Sequence, residues 1–416
     1  MPFVGAFNHK SPAKPLNKFY KSDIESTIQY SRWFLQSLGL WPMISKNSST
    51  IEKYISKCLI VICFVAMIYL IVPAALYIIL KEKSTIGKVM RLGPLGACLS
   101  IIFKYVFIVF RCKTIKLCLE HMEYDWMTVE KDNEREIMTK NARVGRAVTI
   151  IACVFMYTGG MFYNMIMPLL KGNVINERNE TIRPLVYPGF DIFVDPQKSP
   201  NYEIIFCTTC AAASVRYTVT IAACNLAAVF VSHTCGQIQI VISRLERLFD
   251  GIDGEQNGEK LQERISSLIQ CHVNSLRLSA RIDDVLQEIC LIEVIAATFV
   301  ICLLEYHLLM GWSNSETVSI ITFFALLLSY IFNIFIFCYI GELLKEQCNQ
   351  VGTSTYLIDW YRLPGKTGLA IVMIIAMSNY PRKITAGRMM DLSITSFGMI
   401  MKTSAAYLNM IRTMAD

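Results

Sequence analysis

Seven apolar stretches limit what this chain can fold into more than any other feature: residues 55–80, 93–110, 147–170, 204–231, 289–311, 318–340 and 392–410. A helix rising about 1.5 Å per residue needs roughly 20 apolar residues to cross a hydrocarbon core about 30 Å thick. A soluble fold of this length has too little interior to bury them all. Hydrophobic residues make up 54% of the 416 positions and charged ones 18%, against about 25% charged in a typical soluble domain. The surplus must face lipid, so the reading is an all-α membrane protein with seven transmembrane helices. A formal net charge of +7 is modest and fits basic membrane-flanking loops, with no nucleic-acid partner. Lys104 interrupts the second span and is expected to snorkel toward one face. The apolar run 368–377 is too short to cross. Residues 1–54 hold no apolar core followed by a small-residue cleavage site, so the first span is expected to act as an uncleaved insertion signal.

Basic residues set the orientation, because Lys and Arg concentrate in short cytoplasmic segments. They cluster before span 1 (Lys10, Lys14, Lys18, Lys21), between spans 2 and 3 (Arg111, Lys113, Lys116, Arg135), between spans 4 and 5 (Arg244, Arg247, Arg264) and between spans 6 and 7 (Lys345, Arg382, Lys383, Arg388). The segments on the other side carry few. This predicts a cytoplasmic N-terminus and an extracellular C-terminus. The sequon Asn179-Glu180-Thr181 then falls outside, making Asn179 the candidate glycosylation site, while the sequon at Asn47 falls inside. Seven spans invite comparison with G-protein-coupled receptors, but those place the N-terminus outside. No Asp/Glu-Arg-Tyr follows span 3 and no Asn-Pro occurs in span 7.

The long segments between spans are also helical in pattern. Ile238, Val241, Ile242, Leu245, Leu248 and Phe249 recur at helical spacing up to "DGIDGEQNG", and the pattern resumes at Leu261, Ile265, Leu268, Ile269 and Leu276. This predicts a helical hairpin over 232–288 that projects spans 4 and 5 beyond the bilayer. Residues 111–146 read likewise, with a break near "EYDWMTVEKDNE". Such apolar faces pack on one another or between subunits.

Catalytic chemistry has little to stand on. His9, His121, His233, His272 and His307 are scattered, and no HExxH pair is present. Cys207-Thr-Thr-Cys210 opens an apolar helix without a second pair, and none of the 15 cysteines falls in an expected extracellular loop. Neither an enzyme nor a cofactor is expected. Nor is a secondary transporter, for want of an inverted repeat with broken helices. Two features remain informative. In the last span, 100° per residue puts Thr395, Lys402, Asn409 and Asp416 on one stripe, with Ala406 and Thr413 beside it and Ser404 pointing away. That is either a polar bundle interface or the wall of an aqueous path. Spans 3 and 4 mix small, aromatic and sulfur-bearing residues (Met156, Gly160 and Tyr163, then Cys210, Ala213 and Tyr217). That suits close packing or an apolar ligand cavity.

From the end of span 6 the chain reads "FCYIGELLKEQCNQVGTSTYLIDWYRLP" and then "YPRKITAGRMMDLSITSFGMIMKTSAAYLNMI". The run Cys338…Gly341-Glu342, Tyr356 with Trp360-Tyr361, Pro381 with Ala386-Gly387 and the closing Ser404…Tyr407 strongly resemble the C-terminal signature of the insect odorant receptor family. "LGLWP" (38–42) and "HMEYDW" (121–126) resemble it too. The resemblance implies a seven-helix subunit of a tetrameric, odorant-gated, non-selective cation channel in dendritic plasma membranes of olfactory neurons. Each chain's last helix would line one central pore, and a cytoplasmic helical anchor domain would hold the subunits together. It implies this division: 1–54, N-terminal segment; 55–231, helices 1–4 with the odorant pocket; 232–288, anchor hairpin; 289–340, helices 5–6; 341–391, anchor segment; 392–416, pore helix. The implied gate is Met410 and Met414, where Val or Leu is common in the family, with Thr403 and Ala406 below; the face carrying Lys402 and Asn409 lies alongside. Tyr356, Trp360 and Tyr361 would contact neighbouring subunits. Leu99, Met156, Gly160, Tyr163, Cys210, Ala213, Tyr217 and Phe324 would line the pocket for a small volatile or cuticular odorant. The compact turn "DGIDGEQNGEK" lacks the long insertion of the family's co-receptor, so a ligand-tuned subunit in a heterotetramer with that co-receptor is implied. A contact-pheromone or taste receptor of the same superfamily is the variant reading.

Overall fold

The computed structural model describes residues 15–172, 174–175, 181–250, 258–313, 317–360, 363 and 366–415. Helices dominate: α1 (Tyr20–Ser37), α2 (Trp41–Ile44), α3 (Thr50–Leu80), α4 (Thr85–Thr128), α5 (Asp132–Met161), a π-helical turn (Phe162–Ile166), α6 (Met167–Lys171), α7 (Asn201–Glu246), α8 (Gly258–Ser313), α9 (Thr317–Leu357), α10 (Lys366–Ser378) and α11 (Ile394–Ala415). Two small antiparallel pairs, Val174–Ile175 (β1) with Thr181–Ile182 (β2) and Thr385–Ala386 (β3) with Met390–Asp391 (β4), complete it. The chain is an all-α, multi-pass membrane protein.

Among the described residues six helical segments are long and apolar enough to cross a bilayer: Thr50–Leu80, Gly87–Thr128, Asp132–Lys171, Asn201–Glu246, Gly258–Gly311 and Thr317–Leu357. The seventh expected span is helical as α11, but Lys402, Asn409 and Arg412 hold it below the apolarity of the other six. Several helices far outrun a bilayer. The 44 residues of α4 and 56 of α8 extend ~66 and ~84 Å, so apolar span and amphipathic extension form one continuous rod. The break near "EYDWMTVEKDNE" is the three-residue gap between α4 and α5, and residues 251–257 of the glycine-rich tip lie outside the described residues.

Local chemistry starts and stops these rods. Ser49 and Glu52 form a reciprocal capping box at the head of α3, and Ser84 accepts from the Gly87 amide at the head of α4. In "LGLWP", Gly39 turns the chain at φ +73°, and a Cβ there would lie 2.7 Å from that of Leu59. The Tyr105 hydroxyl donates to the Leu38 carbonyl at 2.7 Å, and Ser56 donates to that of Gly39. The motif is thus a glycine-only corner pinned to α3 and α4. Arg135 at the start of α5 donates twice to Asp23 of α1, at 2.7 and 2.9 Å. That guanidinium holds the Asp23 carboxyl below the usual carboxylate range.

At the centre lies α7, buried on every side from Val219 through Ile238. It packs against α1, α3, α4, α5, α8 and α9. Alanines 212, 213, 222, 223, 227 and 228 are all buried in it, and small residues let neighbouring backbones approach closely. A helix so enclosed needs polar partners for its polar side chains. Asn225 links Ser31 and Thr149, and His233 lies 2.8 Å from Asp125, with His121 on the other carboxylate oxygen. Lys104 departs from expectation. It does not snorkel but is 3% exposed, paired with Glu293 of α8, which also accepts from Asn333 of α9 at 2.6 Å. A buried acid offers its ammonium a partner inside the bundle, which a buried charge requires.

Candidate functional site

Two adjoining cavities open between the helices, of about 40 and 260 Å³. Pro94 of α4, Tyr163 of the π-turn, His307 of α8 and Phe323 of α9 border both. The smaller is closed by Ala97, Arg216, Val300, Leu304, Leu326 and Tyr330. The larger runs on to Ala74, Ile78, Met90 and Tyr187. The π-turn matters here. One extra residue in a helical turn shifts the phase of the residues around it, and Tyr163 and Asn164 are consecutive yet both buried. Tyr163 faces Phe323 at 6.2 Å between ring centroids, and Phe323 stacks on His307 at 4.8 Å. The walls are therefore largely apolar and aromatic.

One wall is not. Arg216 of α7 is 4% exposed. Its Nη2 donates to the Tyr217 hydroxyl at 2.7 Å and its Nη1 to the Cys98 sulfur at 3.4 Å. Its guanidinium lies 4.8 Å from the centroid of the Tyr217 ring and 5.8 Å from that of Tyr187. The Tyr217 oxygen also accepts from Asn164 Nδ2 at 2.7 Å. The Tyr217 ring fills the notch left by Gly160, where a Cβ would sit 2.3 Å from it. Any larger residue at 160 would displace the ring that holds Arg216.

Of the residues named from sequence, Tyr163 lines both cavities. Met156, Ala213 and Tyr217 form a closed cluster with Ile221, and Gly160 seats Tyr217. Cys210 is half-buried, its thiol 3.8 Å from the Asn164 carbonyl. Leu99 and Phe324 are not brought to the cavity: they are 41% and 58% exposed, while their neighbours Cys98 and Phe323 face inward. Arg216 and the wall from α8 were not anticipated. A single arginine in the middle of span 204–231 was itself the signal, since an ionisable residue inside a membrane span marks a functional site by default.

The last helix is seated by the C-terminal motif. At Gly341 a Cβ would lie 2.3 Å from the Leu392 carbonyl oxygen, so α9 and the chain entering α11 touch backbone to backbone. Glu342 accepts from the Ile394 amide at 3.2 Å, satisfying one of the free amides at a helix start. Gly387, at φ +61°, donates to the Gln287 carbonyl at 2.8 Å and leaves no room beside Leu291 for a Cβ. From that seat α11 packs inward through Ser396, Ile400 and Ser404, the last fully buried. Lys402, Thr403, Ala406, Asn409 and Met410 all lie on exposed faces. Tyr356 is 68% exposed, and Trp360 is half-buried against the core. Asn179 and Tyr361 lie outside the described residues, as does the side chain of Met414.

Comparison with known proteins adds to this geometry. A sequence profile for the 7tm odorant receptors matches residues 85–405. Odorant receptor 13a of Drosophila melanogaster is 24% identical over 259 residues, covering 56% of this chain and 62% of that protein. Odorant receptor 10 of Aedes albopictus is 23% identical over 238 residues, 56% of this chain and 60% of that one. The matches thus span less than two thirds of those two relatives. Odorant receptor 82a of D. melanogaster is 22% identical over 337 residues, 76% of this chain and 83% of its own. The solved structure of the insect olfactory receptor OR5 from Machilis hrabei in complex with eugenol superposes with a TM-score of 0.76 at 12% identity, covering 95% of this chain and all of that one. At that identity the likeness is one of fold.

Proposed function

The chain belongs to the 7tm odorant receptor family, and from that premise we propose that it is a ligand-tuned subunit of an odorant-gated, non-selective cation channel. The family is one of chemosensory receptors rather than enzymes. In this reading α11 is a seventh crossing helix and one side of a central pore, the N-terminus is cytoplasmic and the C-terminus extracellular. The helical extensions beyond the bilayer, with α10 and the segment around Tyr356 and Trp360, form the anchor between subunits. The partners are the family co-receptor in a heterotetramer and a small, mostly apolar odorant. Permeant cations cross the pore, and the site of action is the sensory neuron's plasma membrane.

The observation that carries the reading is the two-sidedness of α11. It is anchored through Ile400 and Ser404 while Lys402, Thr403 and Asn409 face away from the rest of the chain. Exposed polar groups on a bilayer-crossing helix are costly against lipid and cheap against water, Lys402 and Asn409 more so than Thr403, whose hydroxyl donates to the Met399 carbonyl at 2.8 Å. Ligand binding would shift closed to open only by its differential affinity for the two states. The test is patch-clamp recording from cells expressing this chain with and without the co-receptor, using excised patches free of GTP and a panel of volatile and cuticular compounds. A prompt cation current that needs both chains is expected. Current that appears only when GTP is restored would overturn direct gating.

The same recordings check the cavity. Burial of an aromatic ring contributes about 1.5–3 kcal/mol, so Phe323→Ala is expected to raise the half-maximal concentration of an active compound roughly tenfold or more. Phe324→Ala, which removes an outward ring, is expected to leave it within about twofold. A larger effect at Phe324 than at Phe323 would place the ligand elsewhere.

A further inference from the structure

Arg216 differs from the other inward-facing cations of the bundle. Lys104 pairs with Glu293, Arg111 with Glu288, and Arg244 with Glu134. Arg216 is more deeply buried than Arg111 or Arg244, yet among the described residues it has no carboxylate partner. Its polar contacts are a phenol oxygen and a thiol, both weak counterweights to a full charge, and its Nε–H has no acceptor among the described residues. Arginine cannot shed its proton to escape burial. A second donor close by is also unused: the hydroxyl of Tyr187, buried and without a partner among the described residues. Arg216 borders the smaller cavity and Tyr187 the larger, and the guanidinium lies over the Tyr187 ring. The site thus holds one uncompensated positive charge and two idle donors, set in walls that are apolar at Val300, Leu304 and Phe323 and polar at His307 and at Arg91, which is already paired with Glu82.

We propose that this cavity takes a small apolar molecule headed by a carboxylate, with Arg216 and Tyr187 holding the head group and the aromatic wall holding the tail. This rests on the reading of the chain as a ligand-gated receptor and names its ligand class. A neutral acceptor such as an ester or alcohol would satisfy a hydrogen bond but leave the buried charge unbalanced. A carboxylate does both, through charge-assisted bonds roughly twice as strong as neutral ones.

The test is binding to the full-length chain in lipid nanodiscs at neutral pH, read by intrinsic fluorescence and by the unfolding midpoint. Hexanoate, octanoate and benzoate are each compared with the matching alcohol and methyl ester. At least one carboxylate is expected to bind tenfold or more tightly than its neutral partners. Arg216→Gln is expected to weaken that carboxylate roughly 10–100-fold and its alcohol by no more than about twofold. Tyr187→Phe keeps the ring under the guanidinium and is expected to cost the carboxylate a few-fold only. If Arg216→Gln does not fold, Arg216→Lys and Tyr187→Phe decide the matter, since a packing role would weaken acid and alcohol alike. Equal affinity for acids and alcohols, no carboxylate binding, or unchanged selectivity in these variants would overturn the proposal. Because binding is read without current, the two readings separate. Acid-selective binding with no ligand-evoked current counts against the channel, and current evoked by neutral compounds without acid selectivity counts against Arg216 as the anchor.

Discussion

Lys104→Met, a single change inside the bundle, is expected to remove most folded receptor from the cell surface. Lys104 and Glu293 are 3% and 1% exposed, and Glu293 is left charged and deeply buried when its partner goes. Breaking a buried pair from one side costs about 3–5 kcal/mol, a large share of the roughly 5–15 kcal/mol that stabilises a typical protein. The comparison that isolates the cause is the double variant Lys104→Met with Glu293→Gln. It removes both charges, and its amide oxygen still accepts from Asn333 Nδ2, now 2.6 Å from Glu293 Oε1. Replacing both members of a buried pair is often near neutral, so the double variant is expected to recover most of the surface delivery. Surface biotinylation and the unfolding midpoint in detergent read both. A single variant indistinguishable from wild type, or a double variant as poor as the single, would mean that the pair does not hold α4 to α8 as described.

The same pair shows what sequence could and could not reveal. That span 2 carries a lysine is plain from composition, but its partner lies 189 positions away on α8, at Glu293. Only packing brings them together. The helices themselves were legible because an apolar run of 20 residues has few other fates, and the amphipathic extensions because their period is helical. Which side of a span faces inward was harder. Span 318–340 carries Ser319, Thr322, Ser329 and Asn333 along one stripe, all buried, but so sparse an inward stripe in an otherwise apolar helix leaves the lipid face unmarked, and Phe323 and Phe324 differ only by 100° of rotation. Cys98 and Leu99 present the same ambiguity on α4. The π-turn at 162–166 then shifts the phase within one span, with no glycine or proline inside the turn to announce it. On α11 the contrast between polar and apolar residues is strong, so the turning away of Ser404 from the Lys402–Asn409 stripe follows from spacing alone. Arg216 needed neither periodicity nor phase. A lone cation in an apolar span is conspicuous, but its lack of an acidic partner is visible only once its neighbours Cys98, Tyr187 and Tyr217 are in place.

Lys402→Glu is expected to raise single-channel cation conductance severalfold at physiological ionic strength if α11 presents that stripe to the ion path. Two unit charges about 4 Å apart in water interact by about 1 kcal/mol. Reversing the sign at one position therefore changes the local energy of a passing cation by about 2 kcal/mol, or roughly 30-fold in occupancy. Salt screens this over a Debye length of about 8–10 Å, which trims it to severalfold at physiological strength and less at high salt. Lys402→Gln should fall between, and Lys402→Arg should match wild type. Thr403, Ala406 and Met410 share the exposed surface of the helix but sit on the adjoining face, so they serve as the internal comparison. Glutamate at Thr403 or Ala406 is expected to change conductance less than glutamate at Lys402 does. The reverse order would turn the helix so that Met410 and its neighbours meet the axis, with Lys402 facing the next subunit. Cysteine at Ser404, which is fully buried against the chain's own helices, is expected to stay unreactive to aqueous thiol reagents, whereas cysteine at Asn409 is expected to react and block the current. Conductance and reactivity unaffected at every one of these positions would remove α11 from the pore altogether, because a helix that lines water cannot hide all of its faces from both a permeant ion and a soluble reagent.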